Sequence, residues 1–447
     1  MCGASISKLP DEVLHEIFLQ ATLIHGEWDV STNYFHPGLF CSYDEYHLAA
    51  WEYVLPHRLN ITKVCRRWHQ IGVEFLYGSF HHHRRRYHSH YRHPLPLFRA
   101  LLEARPEIGR LVKRLSLIFD PDDNADDIAL ISLCPNLIIF SSLPVYTTTH
   151  EWWTSTPFPP SLRHFDSSLS GPTWATVVAV LNNLPSLEIL HLYFDGPSPV
   201  KNSNYPLLSL PALRVLQLYM HHADVTSIRT LTKSLHLPRL VALSFSSGPS
   251  MSDWTEYSSP FSTQLLGRLV SLNSWNHARA TKAEDLVCLR QVIMDTIPTD
   301  DLTALVPHIP FHNVTHFVLH ITSTPPTRYD IDSWLSKLYD RMSFPLVLIA
   351  MPMLRILELK WWQSRVYTVI KGHSDSAKIL CLFNFLAIKF EQRGVQFIEA
   401  QRDLRKGPES IKDIVYSLQK ENPSLYSRKS LEDIARSFPW GADETEP

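Results

Sequence analysis

The side chains best suited to chemistry fall into three clusters. The run His81 to His93 (HHHRRRYHSHYRH) packs six histidines, four arginines and two tyrosines into 13 residues. Arginines could hold phosphates while tyrosines stack on bases, or the imidazoles could gather a metal. One short basic run, in a chain whose 42 Lys and Arg face 44 Asp and Glu, leaves no electrostatic footprint for nucleic acid. It reads instead as a solvated linker ahead of Pro94 and Pro96. The stretch Asp120 to Asp127 (DPDDNADD) imitates the start of a calcium loop, but Ala125 stands where the loop needs glycine and Ile131 where it needs glutamate. Its carboxylates suit the first turn of a helix near residues 126–133. Cys2 could serve as an N-terminal nucleophile, but a helical motif begins within seven residues, leaving no room for the strand and oxyanion site that chemistry needs. G-x-S-x-G, H-E-x-x-H and P-loop motifs are absent. The expectation is a binding protein with no catalytic residue, no metal and no cofactor.

The elements that would position any site must be built by a long, globular chain. At 447 residues it exceeds one ordinary core, and 45% hydrophobic with 19% charged residues argues against disorder. Glycine is 14 of 447, about half the usual share, which disfavours Gly-rich phosphate-binding folds. The cysteines at 2, 41, 65, 134, 288 and 381 are scattered and read as reduced thiols rather than a disulfide frame or zinc site. No apolar stretch follows the first residues as in a secretory signal. The longest apolar run, Phe344–Leu354, is 11 residues with two prolines, too short to span a bilayer. A cytoplasmic or nuclear protein without membrane contact is expected.

Leucine supplies 61 residues, and it repeats. A pattern L-x-x-L-x-L begins at Val112, Leu137, Leu162, Leu187, Leu213, Leu240, Leu289, Val314 and Leu354. The steps are 25, 25, 25, 26, 27, 49, 25 and 40. The 49 is close to two repeats, and the 40 implies one repeat with an insertion. Proline precedes several copies, as in CPN, PPS, LPS, LPA, LPR and MPM. One short strand per repeat, with helical returns such as Thr173–Leu184 and Asp224–Leu235, makes an α/β solenoid in which each unit is stabilised by its neighbours. The pattern over residues 97–362 resembles the leucine-rich-repeat family, which implies an irregular horseshoe. Beyond it, residues 363–447 read as a helical C-terminal cap, chiefly Ala377–Arg393 and Ser410–Lys420, with an acidic tail.

Before the repeats lie two helical motifs. In Leu9 to Leu19 (LPDEVLHEIFL), Pro10 suits a first helical turn, and Asp11 and Glu12 complement its dipole. Val13, Leu14, Ile17 and Phe18 form an apolar stripe. Ile61 to Tyr77 (ITKVCRRWHQIGVEFLY) reads as a second helix with the stripe Ile61, Val64, Cys65, Trp68, Ile71, Phe75 and Leu76. LPDEVLHEIF followed by VCRRW resembles the F-box, whose pattern is L-P-x-E-[VL]-L-x-x-I-[FL] and then V-C-[RK]-x-W. Together with the repeats, the chain resembles fungal-type F-box proteins with leucine-rich repeats. The resemblance implies an F-box-like domain over residues 1–80, with an insertion at about 20–57 that holds a middle helix near Tyr46–Leu55. The basic linker, residues 81–96, joins it to the repeats.

The resemblance further implies docking on a Skp-type adaptor subunit of a cullin-based SCF ubiquitin ligase through Leu9, Pro10, Glu12, Val13, Ile17, Val64, Cys65 and Trp68. The repeats would then recruit a protein client, with no bond chemistry by the chain itself. The alternative is a leucine-rich-repeat interaction scaffold not linked to ubiquitination. Strand alternation puts His164 and Asp166, His191 and Tyr193, Gln217 and Tyr219, His316 and His320, and Glu358 and Lys360 on the concave face. Of these, His191, Tyr193, Gln217, Tyr219, His316 and Glu358 are expected to meet the client. Tyr193 and Tyr219, at equivalent positions of consecutive repeats, should be neighbours.

Overall fold

The structure is a computed structural model describing residues 6–22, 24, 43–82, 94–118, 129–143, 157–170, 173–195, 206–220, 231–247, 268–273, 288–295, 312–321, 351–361 and 390–400. Two compact units result, one of residues 1–253 and 260–265 and the other of 254–259 and 266–447. The regions 83–93 and 120–127, most of the return 224–235 and of the helix expected at 377–393, Cys2, and the tail lie outside the described residues.

The first unit opens with three helices, α1 (Asp11–Ala21), α2 (Tyr43–Val64) and α3 (Arg66–Tyr77). Leu14 and Phe18 of α1 meet Phe75 of α3 in a buried core, with Leu9, Leu19, Ile61, Trp68 and Ile71 packed around it. The middle helix is longer than its sequence signal and runs through Pro56 into the second motif. The single helix expected over Ile61–Tyr77 is in fact broken at Cys65, whose backbone is extended (φ −162°, ψ 171°). Its sulfur accepts the backbone N–H of Trp68 at 3.5 Å, so the thiol caps α3 rather than joining an apolar stripe. Gly72 lets α2 and α3 approach closely, since a Cβ there would lie 2.9 Å from Ile61 Cγ2. The buried Arg58 of α2 donates to the carbonyl of Thr22 at 2.9 Å, satisfying the C-terminal end of α1 with a cation.

The same unit continues as a parallel β-solenoid. Its elements are β1 (Ser79–His81), α4 (Pro94–Ala104), α5 (Pro106–Gly109), β2 (Arg114–Ile118), β3 (Ile139–Leu143), β4 (His164–Ser170), α6 (Trp174–Leu181), β5 (Ile189–Asp195), β6 (Leu208–Ser209), β7 (Val215–Met220), β8 (Leu235–His236) and β9 (Ala242–Ser247). Strands β1, β2, β3, β4, β5, β7 and β9 lie side by side in that order, all parallel, while β6 and β8 pair separately. The sheet thus starts one strand before the first leucine repeat. Leu115, Phe140, Phe165, Leu190, Leu216 and Leu243 stand in one register row and are all buried. Burying each stabilises by about 1.5–3 kcal/mol relative to exposure.

The recurring proline has a local cause. Leu162, Leu187, Leu213 and Leu240 each donate a backbone N–H to the carbonyl three residues back, on Pro159, Leu184, Leu210 and Leu237. Pro160, Pro185, Pro211 and Pro238 therefore sit second in a four-residue turn, where their fixed φ is favoured. The next strand is then set by a shared acceptor. The Lys113 carbonyl takes the N–H groups of both Ile138 and Ile139, that of Ile138 takes Arg163 and His164, and that of Arg163 takes Glu188 and Ile189. The return helix α6 falls where its sequence signal did, with the Thr173 hydroxyl accepting from the Thr176 N–H at its start.

The second unit holds five parallel strands in sequence order, β10 (Ser271–Asn273), β11 (Gln291–Asp295), β12 (His316–Ile321), β13 (Ile356–Trp361) and β14 (Gln396–Ala400). Strand β10 divides the 49-residue step. Strand β14 lies where the sequence reading placed a purely helical cap, after a helical turn ending in Gly394 at φ 76°. Each unit is a parallel repeat solenoid, the first with accessory helices among the described residues. No helix among the described residues is long and apolar enough to cross a membrane.

Candidate functional site

The helical motif residues divide by burial. Leu9 and Trp68 are half-buried against the Leu14–Phe18–Phe75 core, with the Trp68 ring edge-on to Phe18 at 4.8 Å. Pro10, Glu12 and Cys65 are exposed. Val13, Ile17 and Val64 are 43%, 40% and 58% exposed. Val13 and Ile17, one helical turn apart, share a face of α1. Arg67 holds the starts of α1 and α3 together, with Nε donating to Asp11 Oδ1 at 2.7 Å and a second nitrogen donating to the Leu9 carbonyl. The helix ends carrying Leu9, Pro10, Cys65 and Trp68 are thus clamped to one another. Lys113, just before β2, bonds Glu74 of α3 at 2.6 Å. Burial pushes the Glu74 carboxyl up, but Lys113 and His15 outweigh it and hold the group below its ordinary value.

On the sheet, strand register brings Asp166, His191, Gln217 and Ser244 into one row, and Ser168, Tyr193, Tyr219 and Ser246 into the next. The two tyrosine rings are stacked, with centroids 4.4 Å apart and planes 9° from parallel. Tyr193 is 38% exposed, and Tyr219 and Gln217 are half-buried. His191, expected on the surface, is only 4% exposed, because it lies between Asp166 and the ring of His164. A client could therefore touch its edge at most. In the second unit the half-buried His316 contacts Gln291 at 3.2 Å, and Gln291 in turn accepts from the Ser271 hydroxyl at 2.8 Å. Register aligns Glu358 with Val318 and Lys360 with His320, and backbone placement is all that is described of Glu358, Lys360 and His320.

His164, Asp166 and His191 form a group that the sequence reading placed on one face without joining into a site. Each offers one ligand-type atom within 4.8 Å of the others. The His164 and His191 rings meet edge to face at 5.1 Å, and His191 Nδ1 lies 3.8 Å from Asp166 Oδ2. Burial, with added repulsion from His191 and Arg114, holds the His164 imidazole well below its usual pKa and keeps it neutral. The available signal was an H-x-D segment in one repeat with a histidine 25 residues beyond the aspartate. By contrast, burial pushes the Cys134 thiol up to about 12, leaving it inert.

No family model and no curated protein matches the sequence. Among solved structures, the chain is similar to one described as the crystal structure of the Rad7 and Elc1 complex in yeast. The identity is 12%, over 58% of this chain and 72% of that one, at a TM-score of 0.23. A TM-score that low assigns neither fold nor function.

Proposed function

We propose that this protein is the substrate-recognition subunit of a cullin-based SCF ubiquitin ligase, with an F-box docking on a Skp-type adaptor and a leucine-rich-repeat solenoid holding a client. The observation that carries the reading is the exposed apolar set Val13, Ile17 and Val64, on the very helices that bear the L-P-x-E and V-C-R-x-W motifs. Such side chains gain by burial in a partner groove, at about 25 cal/mol per Å² of apolar surface removed from water. Glu12 and Pro10 flank them in the open. The chain does no bond chemistry in this reading. It raises the local concentration of client near the conjugating enzyme. The stacked Tyr193–Tyr219 pair is the anchor for that client, since tyrosine combines contact area with a polar tip.

The competing scaffold reading draws on Trp68, whose packing on Phe18 gives the motif tryptophan a structural role without any partner. Co-purification with a Skp-type adaptor separates the two. Val13→Asp/Val64→Asp, which alters exposed positions and spares the core, should abolish the complex while far-UV circular dichroism stays native. Folded wild-type protein that captures no adaptor would give the scaffold reading the lead.

A further inference from the structure

We propose that His164, Asp166 and His191 are a binding site for a divalent transition-metal ion, with zinc the best match. The inference is independent of adaptor docking. The geometry comes from β4 and β5. Asp166 and His191 are register partners on adjacent strands, and His164 precedes Asp166 by two residues on the same face. Two imidazoles and one carboxylate are the donor set of three-ligand zinc sites, which leave a fourth position open. Nitrogen donors disfavour calcium and magnesium, which seek oxygen.

Two further observations point to a ligand. Both imidazoles are buried while the Asp166 side chain keeps 21% of its surface accessible, so the site is closed below and open at the carboxylate. Nδ1 of His191 stands 3.8 Å from Asp166 Oδ2, too far for a direct hydrogen bond, so an ion can stand between the ring and the carboxylate. The ligand atoms, up to 4.8 Å apart, must close by up to about 1.4 Å to surround an ion tetrahedrally at lengths near 2.1 Å. Arg114 acts the other way. Its charge bears on His164, opposing a cation and weakening the site relative to one without it.

The histidine-rich run offers competing imidazoles, so four of its six histidines are replaced in the test. In full-length protein carrying His83, His88, His90 and His93→Ser, zinc titrated by calorimetry should bind one ion per chain and raise the thermal midpoint. Cobalt in its place should give the visible bands of a nitrogen–oxygen site. His164→Ala/His191→Ala should lower affinity about 100-fold or more, and Asp166→Asn, which keeps the shape, about tenfold or more. Should the double variant misfold, Asp166→Asn and His191→Gln each carry the test alone. Zinc affinity unchanged in the folded variants, or no binding in the parent, would overturn the site.

Discussion

Two histidine–phenylalanine pairs hold the same place in their repeats, His164-Phe165 in β4 and His316-Phe317 in β12, and are used differently. Each histidine follows a buried lead residue by two positions, Leu162 or Val314, and each phenylalanine turns into the leucine core. His164 is aligned with Ile139 and Ile189, lies fully buried, and turns its ring to His191. His316 is aligned with Gln291 and Ile356, stays half-buried, and shares a hydrogen-bonded chain with Gln291 and Ser271. What a strand position means is therefore set by residues one repeat away, 25 residues off in the chain for both His164/Ile189 and Gln291/His316.

The strongest way to break the comparison is through the phenylalanines. Phe165 is enclosed by Phe140 and by Phe158, the latter edge-on at 5.3 Å, so Phe165→Ala should cost about 3–5 kcal/mol. Phe317, slightly less buried and with no ring neighbour among the described residues, should cost less on the same change. Urea unfolding of the two variants should rank them in that order, and equal losses would erase the contrast. Next comes the polar ladder. Gln291→Leu removes the acceptor of the Ser271 hydroxyl and the polar contact to His316, for about 1–3 kcal/mol. His164→Leu, placed between two isoleucines and measured without metal, should change stability by under about 1 kcal/mol. A reversed order would show that His164, not Gln291, anchors its row.

The smallest effect serves as a control outside both rows. Glu74 has a depressed folded pKa, so its pairing with Lys113 stabilises the protein above the ordinary glutamate range and is lost as pH falls through the lowered value. Both side chains are about a third exposed, which keeps the contribution below about 1 kcal/mol. The stability gap between wild type and Lys113→Met should be present at neutral pH and close in acid. A gap that widens in acid would contradict the assigned pairing.

The regular strands were legible because each core row repeats the same apolar spacing, and the adjacency of Tyr193 and Tyr219 follows from that spacing. Strand β10 was hidden because its repeat offers only Leu269 and Leu272, without a third apolar residue in the pattern. Strand β14 was hidden because Glu399 occupies the register position of Leu359, which breaks the signature. The break at Cys65 left no mark on the periodicity, since the apolar spacing runs straight through Val64, Cys65 and Trp68. At the break the Cys65 sulfur accepts the Trp68 N–H at the start of α3. The histidine–aspartate group needed the register of β4 against β5, which no single repeat contains.

The carbonyls shared at the start of the strands have a consequence for how such a chain can change. The Val270 carbonyl receives Arg290 and Gln291 across a 20-residue step between lead leucines, and that of Thr315 receives Arg355 and Ile356 across a 40-residue step. The same pair of bonds forms after either journey. Length gained or lost between strands is thus absorbed before the next one docks, and no frame error passes down the sheet. The solenoid works like a rack with fixed slots, open to insertion between slots and intolerant of change within them.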